Sequence, residues 1–203
     1  MEFAAAKDTF ERLYSGIAGY EVSHRQRQRD NLDDRSLIYG EVLPEGFHQL
    51  LVQANVPAGG VFYDLGSGTG KAIVLAALLG SFSRLIGAEF LSDLVETSRS
   101  VLARFDAEVR PTLAPEQQGQ RIELISSDLL SINFSDADLV FTHSTCFESK
   151  LLEAMGQKMV DLKKGAKVIG IGRRIPSDHL NLLSRTTIAL DWGSTFGVLY
   201  ERI

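Results

Sequence analysis

The run Phe62-Tyr63-Asp64-Leu65-Gly66-Ser67-Gly68-Thr69-Gly70 joins a hydrophobic stretch to a glycine-rich turn just ahead of an apolar helical segment. Glycines at such a turn let the backbone approach a ligand closely, and a helix N-terminus offers N–H donors that the helix itself does not use. A phosphate-binding loop would need glycine five residues before the Gly70-Lys71 pair and Ser or Thr after it, and Leu65 and Ala72 stand there instead. A dinucleotide site places glycines at the first, third and sixth positions of its turn. Here they fall at the first, third and fifth, behind the acid Asp64. That spacing suits a ligand without a pyrophosphate.

Two further acids follow apolar stretches. Glu89 closes Arg84–Ala88, where a carboxylate can accept both hydroxyls of a ribose. Asp128, in Ser126-Ser127-Asp128-Leu129, is placed to take an adenine amino group. Alone, either acid is an ordinary loop residue. At the carboxyl ends of successive strands, with Gly66, Ser67, Gly68 and Leu129 beside them, they outline a nucleoside site. S-adenosylmethionine fits that outline as cofactor, because its amino-acid end carries an ammonium that Asp64 can meet. His143, at the end of a fourth apolar stretch, could accept a hydrogen bond from an acceptor amine or relay its proton, or could equally be a histidine satisfied at a strand end. Cys146 has no basic partner in the pattern and reads as a small buried hydrophobe. The chemistry requires no metal.

These residues need a scaffold that alternates strand and helix. Strands are expected at Val61–Leu65, Arg84–Ala88, Arg121–Ile125, Ala137–Thr142 and Ala166–Ile171. Helices fall between them, over Ala72–Leu79, over Leu91–Arg104 and on the face marked by Phe147, Leu151, Leu152, Met155 and Met159, with a polar loop at Pro111–Gly119. Strand, helix, strand in this order predicts parallel pairing by right-handed crossovers. Thr186–Leu190, a Gly193-Ser194 turn and Phe196–Tyr200 read as an antiparallel hairpin. Ahead of the first strand, Phe3, Phe10, Leu13, Tyr14, Ile17 and Tyr20 mark one face of an amphipathic helix, and Glu21–Ser36, with Arg25, Arg27 and Arg29, reads as an exposed arm. The expected fold class is α/β, a Rossmann-like seven-stranded methyltransferase sheet ending in an antiparallel hairpin. Residues 1–36 form a helical cap and residues 37–203 the cofactor-binding domain.

Bulk composition bounds the function. The chain has 203 residues, 44% hydrophobic and 23% charged, enough for one full core. Its longest apolar run is far short of a membrane span, and its first residues lack the basic-then-apolar order of a signal peptide, so a cytoplasmic location is expected. A single cysteine excludes an internal disulfide and a cysteine-based zinc site. A formal charge of −5 argues against a nucleic-acid partner, since that binding depends on clustered Lys and Arg. A protein or small-molecule substrate fits better, and no membrane partner is expected.

The segment Ile38-Tyr39-Gly40-Glu41, about twenty residues ahead of Asp64-Leu65-Gly66-Ser67-Gly68, resembles the pattern of the disruptor-of-telomeric-silencing histone lysine methyltransferases. The resemblance implies that Tyr39 and Glu41 fold over the methionine end of the cofactor, with Lys71 close by, and that the acceptor is a protein lysine. After the fourth strand the family reads Asn-Asn-Phe-x-Phe. This chain has His143-Ser144-Thr145-Cys146-Phe147, so the catalytic wall is expected at His143, Ser144 and Phe147 with only the aromatic retained. Trp192 and Tyr200 resemble aromatic residues of the family's C-terminal hairpin, while Leu199 replaces a tyrosine. Two other readings stay open: a methyltransferase of a small molecule or another non-histone acceptor, and a cofactor-binding protein without catalysis.

Overall fold

The computed structural model describes all residues from Met1 to Ile203. In chain order its elements are α1 (Phe3–Tyr14), α2 (Gly19–Arg29), α3 (Pro44–Ala54), β1 (Val61–Leu65), α4 (Lys71–Leu79), β2 (Arg84–Glu89), α5 (Ser92–Arg104), α6 (Pro115–Gln118), β3 (Arg121–Ser126), β4 (Leu139–His143), α7 (Ser149–Lys158), β5 (Lys167–Ile171), β6 (Leu180–Leu190) and β7 (Gly193–Arg202). The strands form one sheet in the order β3-β2-β1-β4-β5-β7-β6. β1 to β5 are parallel, and β7 runs antiparallel to both β5 and β6. The order reverses between β1 and β4, which opens a crevice at the carboxyl ends of those strands.

Strand parity decides what faces that crevice. Side chains alternate across a sheet, so Phe62 and Asp64, Leu85 and Glu89, and Phe141 and His143 share one face. Phe62, Leu85 and Phe141 belong to the larger apolar cluster under α1, α3 and α4, while Tyr63, Ile86 and Val140 pack on the opposite face with α7. Phe47 of α3 anchors the first layer edge-on against Phe62 and Phe141, with ring centroids 6.2 and 5.3 Å away. One face thus carries an apolar layer along the strands and three polar residues at their ends.

Several expectations change. The arm expected over Glu21–Ser36 is largely helical, because α2 buries Ser23 and Gln26, and Gln26 bonds Ser92 Oγ and the Asp93 N–H at the start of α5. The helix over residues 3–14 is not a separate cap: Ala6, Phe10, Leu13 and Tyr14 lie in the same cluster as Phe62, so the boundary at residue 36 does not divide two cores. The loop at Pro111–Gly119 contains α6, held by Gln117, whose buried amide donates to the Ala77 and Leu78 carbonyls at the end of α4. The hairpin strands are longer than expected, and the turn is Asp191-Trp192, not Gly193-Ser194. α3 was not foreseen; Pro44 at its first turn and the left-handed Asn55 at its end mark it. No helix is long and apolar enough to cross a membrane.

Candidate cofactor and acceptor site

The turn after β1 is built by glycines that only glycine can fill. Gly66, Gly68 and Gly70 have φ of 88°, 53° and 81°, in the left-handed region that other L residues avoid. Its donors are already engaged: the Gly66 and Ser67 N–H groups donate to the Ala88 carbonyl at 2.9 and 3.0 Å, and the Gly68 N–H donates to Glu89 Oε2 at 2.9 Å. The turn is therefore tied to the end of β2 and does not present the open N–H nest that a phosphate needs. The free N–H groups expected from the sequence are, in this part of the turn, structural.

Glu89 is consequently a fixed carboxylate. Its second oxygen accepts the Leu91 N–H at 2.8 Å, and burial pushes its pKa up against the backbone donors that lower it. A carboxylate has about four acceptor positions, so two remain for a diol. Asp128 caps the short turn after β3 through the Leu130 N–H at 2.8 Å, leaving one oxygen free. Asp64 is buried with Oδ1 unpartnered, and its pKa is raised well above the ordinary carboxylate range, first by burial and then by Glu89. An unpartnered buried carboxylate oxygen costs free energy unless something cationic meets it.

Above the turn sits a second layer. The Tyr39 ring covers Gly68 so closely that a Cβ there would lie 2.2 Å from Cε2, and its hydroxyl bonds Thr69 Oγ1 at 2.7 Å. The buried Tyr14 hydroxyl donates to the Thr69 carbonyl at 3.0 Å. Lys71 pairs with Glu41, and its ammonium lies 5.4 Å from the centre of the Tyr14 ring. Tyr39 and Gly68 are thus in contact, and Glu41 and Lys71 are paired beside them.

A cavity of ≈ 380 Å³ opens beside this layer, within the usual size of small-molecule sites. Tyr39, Gly66, Glu89, Asp128, Leu129, His143 and Phe147 line it, whereas Glu41, Asp64, Ser67, Gly68 and Lys71 are not part of its lining. Sequence reasoning missed Asp34, Ser36 and Leu37 in the strap ahead of Tyr39, pinned by the Glu148 N–H to Ser36 Oγ at 3.0 Å, and Lys150, Leu151 and Ala154 on the near face of α7. Leu151 had been legible only as part of a helical stripe. Its acids Asp34, Glu89, Asp128 and Glu148 face the single lysine Lys150, so the lining favours a cation.

The three expected catalytic residues part company. His143 packs against Gly40 and lines the cavity. Its Nδ1 lies 3.2 Å from Thr145 Oγ1, its Nε2 has no partner, and burial pushes its pKa down to about 4. Phe147 is buried against Gly66. Ser144 is not at the reaction centre: it is fully buried and its hydroxyl bonds the Ile171 and Arg173 carbonyls at 2.9 Å, which closes the end of β5. Trp192 is 58% exposed and does not line the cavity.

Sheet order, crevice and glycine turn define a Rossmann-like fold of the methyltransferase type. Among solved structures, an RNA methyltransferase from Salinibacter ruber in complex with S-adenosyl-L-homocysteine superposes with a TM-score of 0.59 at 20% identity, over 80% of this chain and 93% of that one. TrmN from Thermus thermophilus gives a TM-score of 0.66 at 14% identity, over 88% and 53%. The family model described as histone methylation protein DOT1 matches residues 33–188, and the chain belongs to that family. The H3 lysine-79 specific histone-lysine N-methyltransferase of Gibberella zeae is 30% identical over 168 residues, 79% of this chain and 32% of that protein. Its counterpart in Eremothecium gossypii is 25% identical over 147 residues, 71% and 26%. The chain spans about a quarter to a third of the length of these relatives.

Proposed function

We propose that the chain is an S-adenosylmethionine-dependent methyltransferase whose acceptor is a protein lysine. The observation that carries this reading is the convergence, on one sheet face, of the unpartnered Asp64, the fixed Glu89 and the unpartnered His143 Nε2. Asp64 and the Glu41–Lys71 pair would hold the ammonium and carboxylate of the methionine end, Glu89 the ribose and Asp128 with Leu129 the adenine. When bound, S-adenosylmethionine supplies an electrophilic methyl on a sulfonium. Family membership and the histone-lysine activity named for the relatives support the lysine acceptor.

A lysine ammonium must be neutral to attack. Bringing a pKa near 10.4 to pH 7 costs about 4.6 kcal/mol, at roughly 1.36 kcal/mol per pH unit. The buried, aromatic surroundings of Tyr39 and Phe147 lower that cost by disfavouring the charged amine. Burial keeps His143 neutral at pH 7, and the tautomer with its proton on Nδ1, facing Thr145 Oγ1, leaves Nε2 to accept from the amine and aim its lone pair. The cytoplasmic placement belongs to the same proposal.

The raised Asp64 gives a test of the cofactor half. The free chain favours its protonated form, while a bound ammonium favours the carboxylate, so binding expels a proton and weakens as pH falls. In calorimetry with S-adenosylhomocysteine, affinity is expected to drop on acidification from a pH above the ordinary carboxylate range. Asp64→Asn should bind about 10- to 100-fold more weakly, the worth of one charge-assisted bond, and lose the slope. A parent affinity that stays flat on that acidification, or a slope unchanged in Asp64→Asn, would remove Asp64 from the site.

A further inference from the structure

The β6–β7 hairpin outruns its neighbour. β5 ends at Ile171, paired with Gly197, and the four residues from Gly193 to Phe196 continue past it, about 14 Å at 3.4 Å per residue. The turn therefore stands on the crevice side of the sheet. There the exposed Asp191 accepts the Tyr20 hydroxyl with both oxygens, at 2.9 and 3.2 Å. Tyr20, on α2, meets Tyr39 edge to face with centroids 5.4 Å apart, and Tyr39 lines the cavity next to Gly40 and His143. The two ends of the chain thus meet through one carboxylate and one phenol, which reach the cavity wall by way of the Tyr39 ring. No residue of the nucleoside outline needs either of them.

We propose that Asp191, oriented by Tyr20, is the carboxylate that recognises the ammonium of the acceptor as it enters the cavity toward His143. This rests on the lysine reading above and names the residue that selects for it. Three observations support the assignment. The negative charge of Asp191 acts on the buried His143, where it works against the effect of burial. His143 lines the cavity and its buried Nε2 has no partner, so a hydrogen-bond donor is missing there. The hydrogen bond from Tyr20 fixes the carboxylate before any ligand arrives, which lowers the ordering cost of recognition. Lysine carries a cation on a long apolar stem, and the aromatic edge of Tyr20 and Tyr39 beside Asp191 suits both parts.

The probe is n-butylammonium, a lysine side chain without its backbone, compared with n-butanol, its neutral counterpart. The His143 imidazole signals are followed by NMR as each is titrated into the full chain. Butylammonium is expected to shift them at lower concentration than butanol, and added salt should narrow the gap because the carboxylate is exposed. In Asp191→Asn, butylammonium should bind about three- to fivefold more weakly, the scale of an exposed charge pair, while butanol is unchanged. Tyr20→Phe keeps the ring on Tyr39 and removes only the hydrogen bond, so it should lose part of the preference for the cation, and a merely structural tyrosine would change both probes alike. Equal binding of the two probes by the parent, or an unchanged ratio in Asp191→Asn, overturns the proposal. Loss of cation preference in Asp191→Asn with no lysine methylated in any protein would instead count against the lysine reading, and the two failures are told apart.

Discussion

Gly68→Val is expected to weaken binding of S-adenosylhomocysteine by about 100-fold or more while the protein still unfolds cooperatively. A β-branched residue at φ 53° is strained by about 1–3 kcal/mol. Its Cβ would also lie 2.2 Å from the Tyr39 ring, so Tyr39 must leave and its bond to Thr69 Oγ1 is broken. Overpacking of this kind costs another 1–3 kcal/mol or so. The two costs fall on the segment that carries the Gly68 N–H to Glu89, so the binding-competent arrangement becomes a minor state and the apparent affinity falls with its population. Gly66 offers a contrast, because a Cβ there meets only Phe147 Cζ at 3.5 Å and the penalty is conformational alone. Calorimetry and thermal unfolding of the Gly68 variant separate the effects. Parent-like affinity would mean that the turn does not approach the ligand.

Deleting residues 1–15 is expected to cost the chain most of its stability. Phe10, Leu13 and Tyr14 are buried in the larger cluster, and burial of such side chains is worth about 1.5–3 kcal/mol each, or roughly 5–9 kcal/mol together. A domain of this kind has about 5–15 kcal/mol in all. The deletion also frees the Thr69 carbonyl from the Tyr14 hydroxyl and removes the Leu13 carbonyl to which Arg104 donates at 3.0 Å. Circular dichroism should show a broad transition at much lower temperature or none. A melting temperature within a few degrees of the parent would mean that α1 lies on the sheet without supporting it.

The strands β1 to β5 were legible because their apolar stretches are short and bounded by glycines and polar residues, and the same strand ends made Asp64, Glu89 and Asp128 visible. The N-terminal stripe of Phe10, Leu13 and Tyr14 showed a helix but not its neighbour, since periodicity reports a buried face and not what covers it. α2 was hidden by composition: Arg25, Arg27 and Arg29 look like a solvated arm, and its buried side consists of Gly19, Ser23 and Gln26. Ser144 shows a limit of motif alignment, because its place in the segment after β4 says nothing of where its hydroxyl points. Two carbonyls of the β5 end take it. The Tyr20–Asp191 contact joins residues 171 positions apart, and no local pattern reports such a pair.

The most direct test of the central claim is mass spectrometry of core histones and of a panel of other proteins after incubation with the chain and methyl-labelled S-adenosylmethionine. Label is expected on lysine side chains, absent when Gly68→Val replaces the parent. Label confined to small-molecule hydroxyls or carboxylates, or no transfer at all despite tight binding of the cofactor, would contradict it.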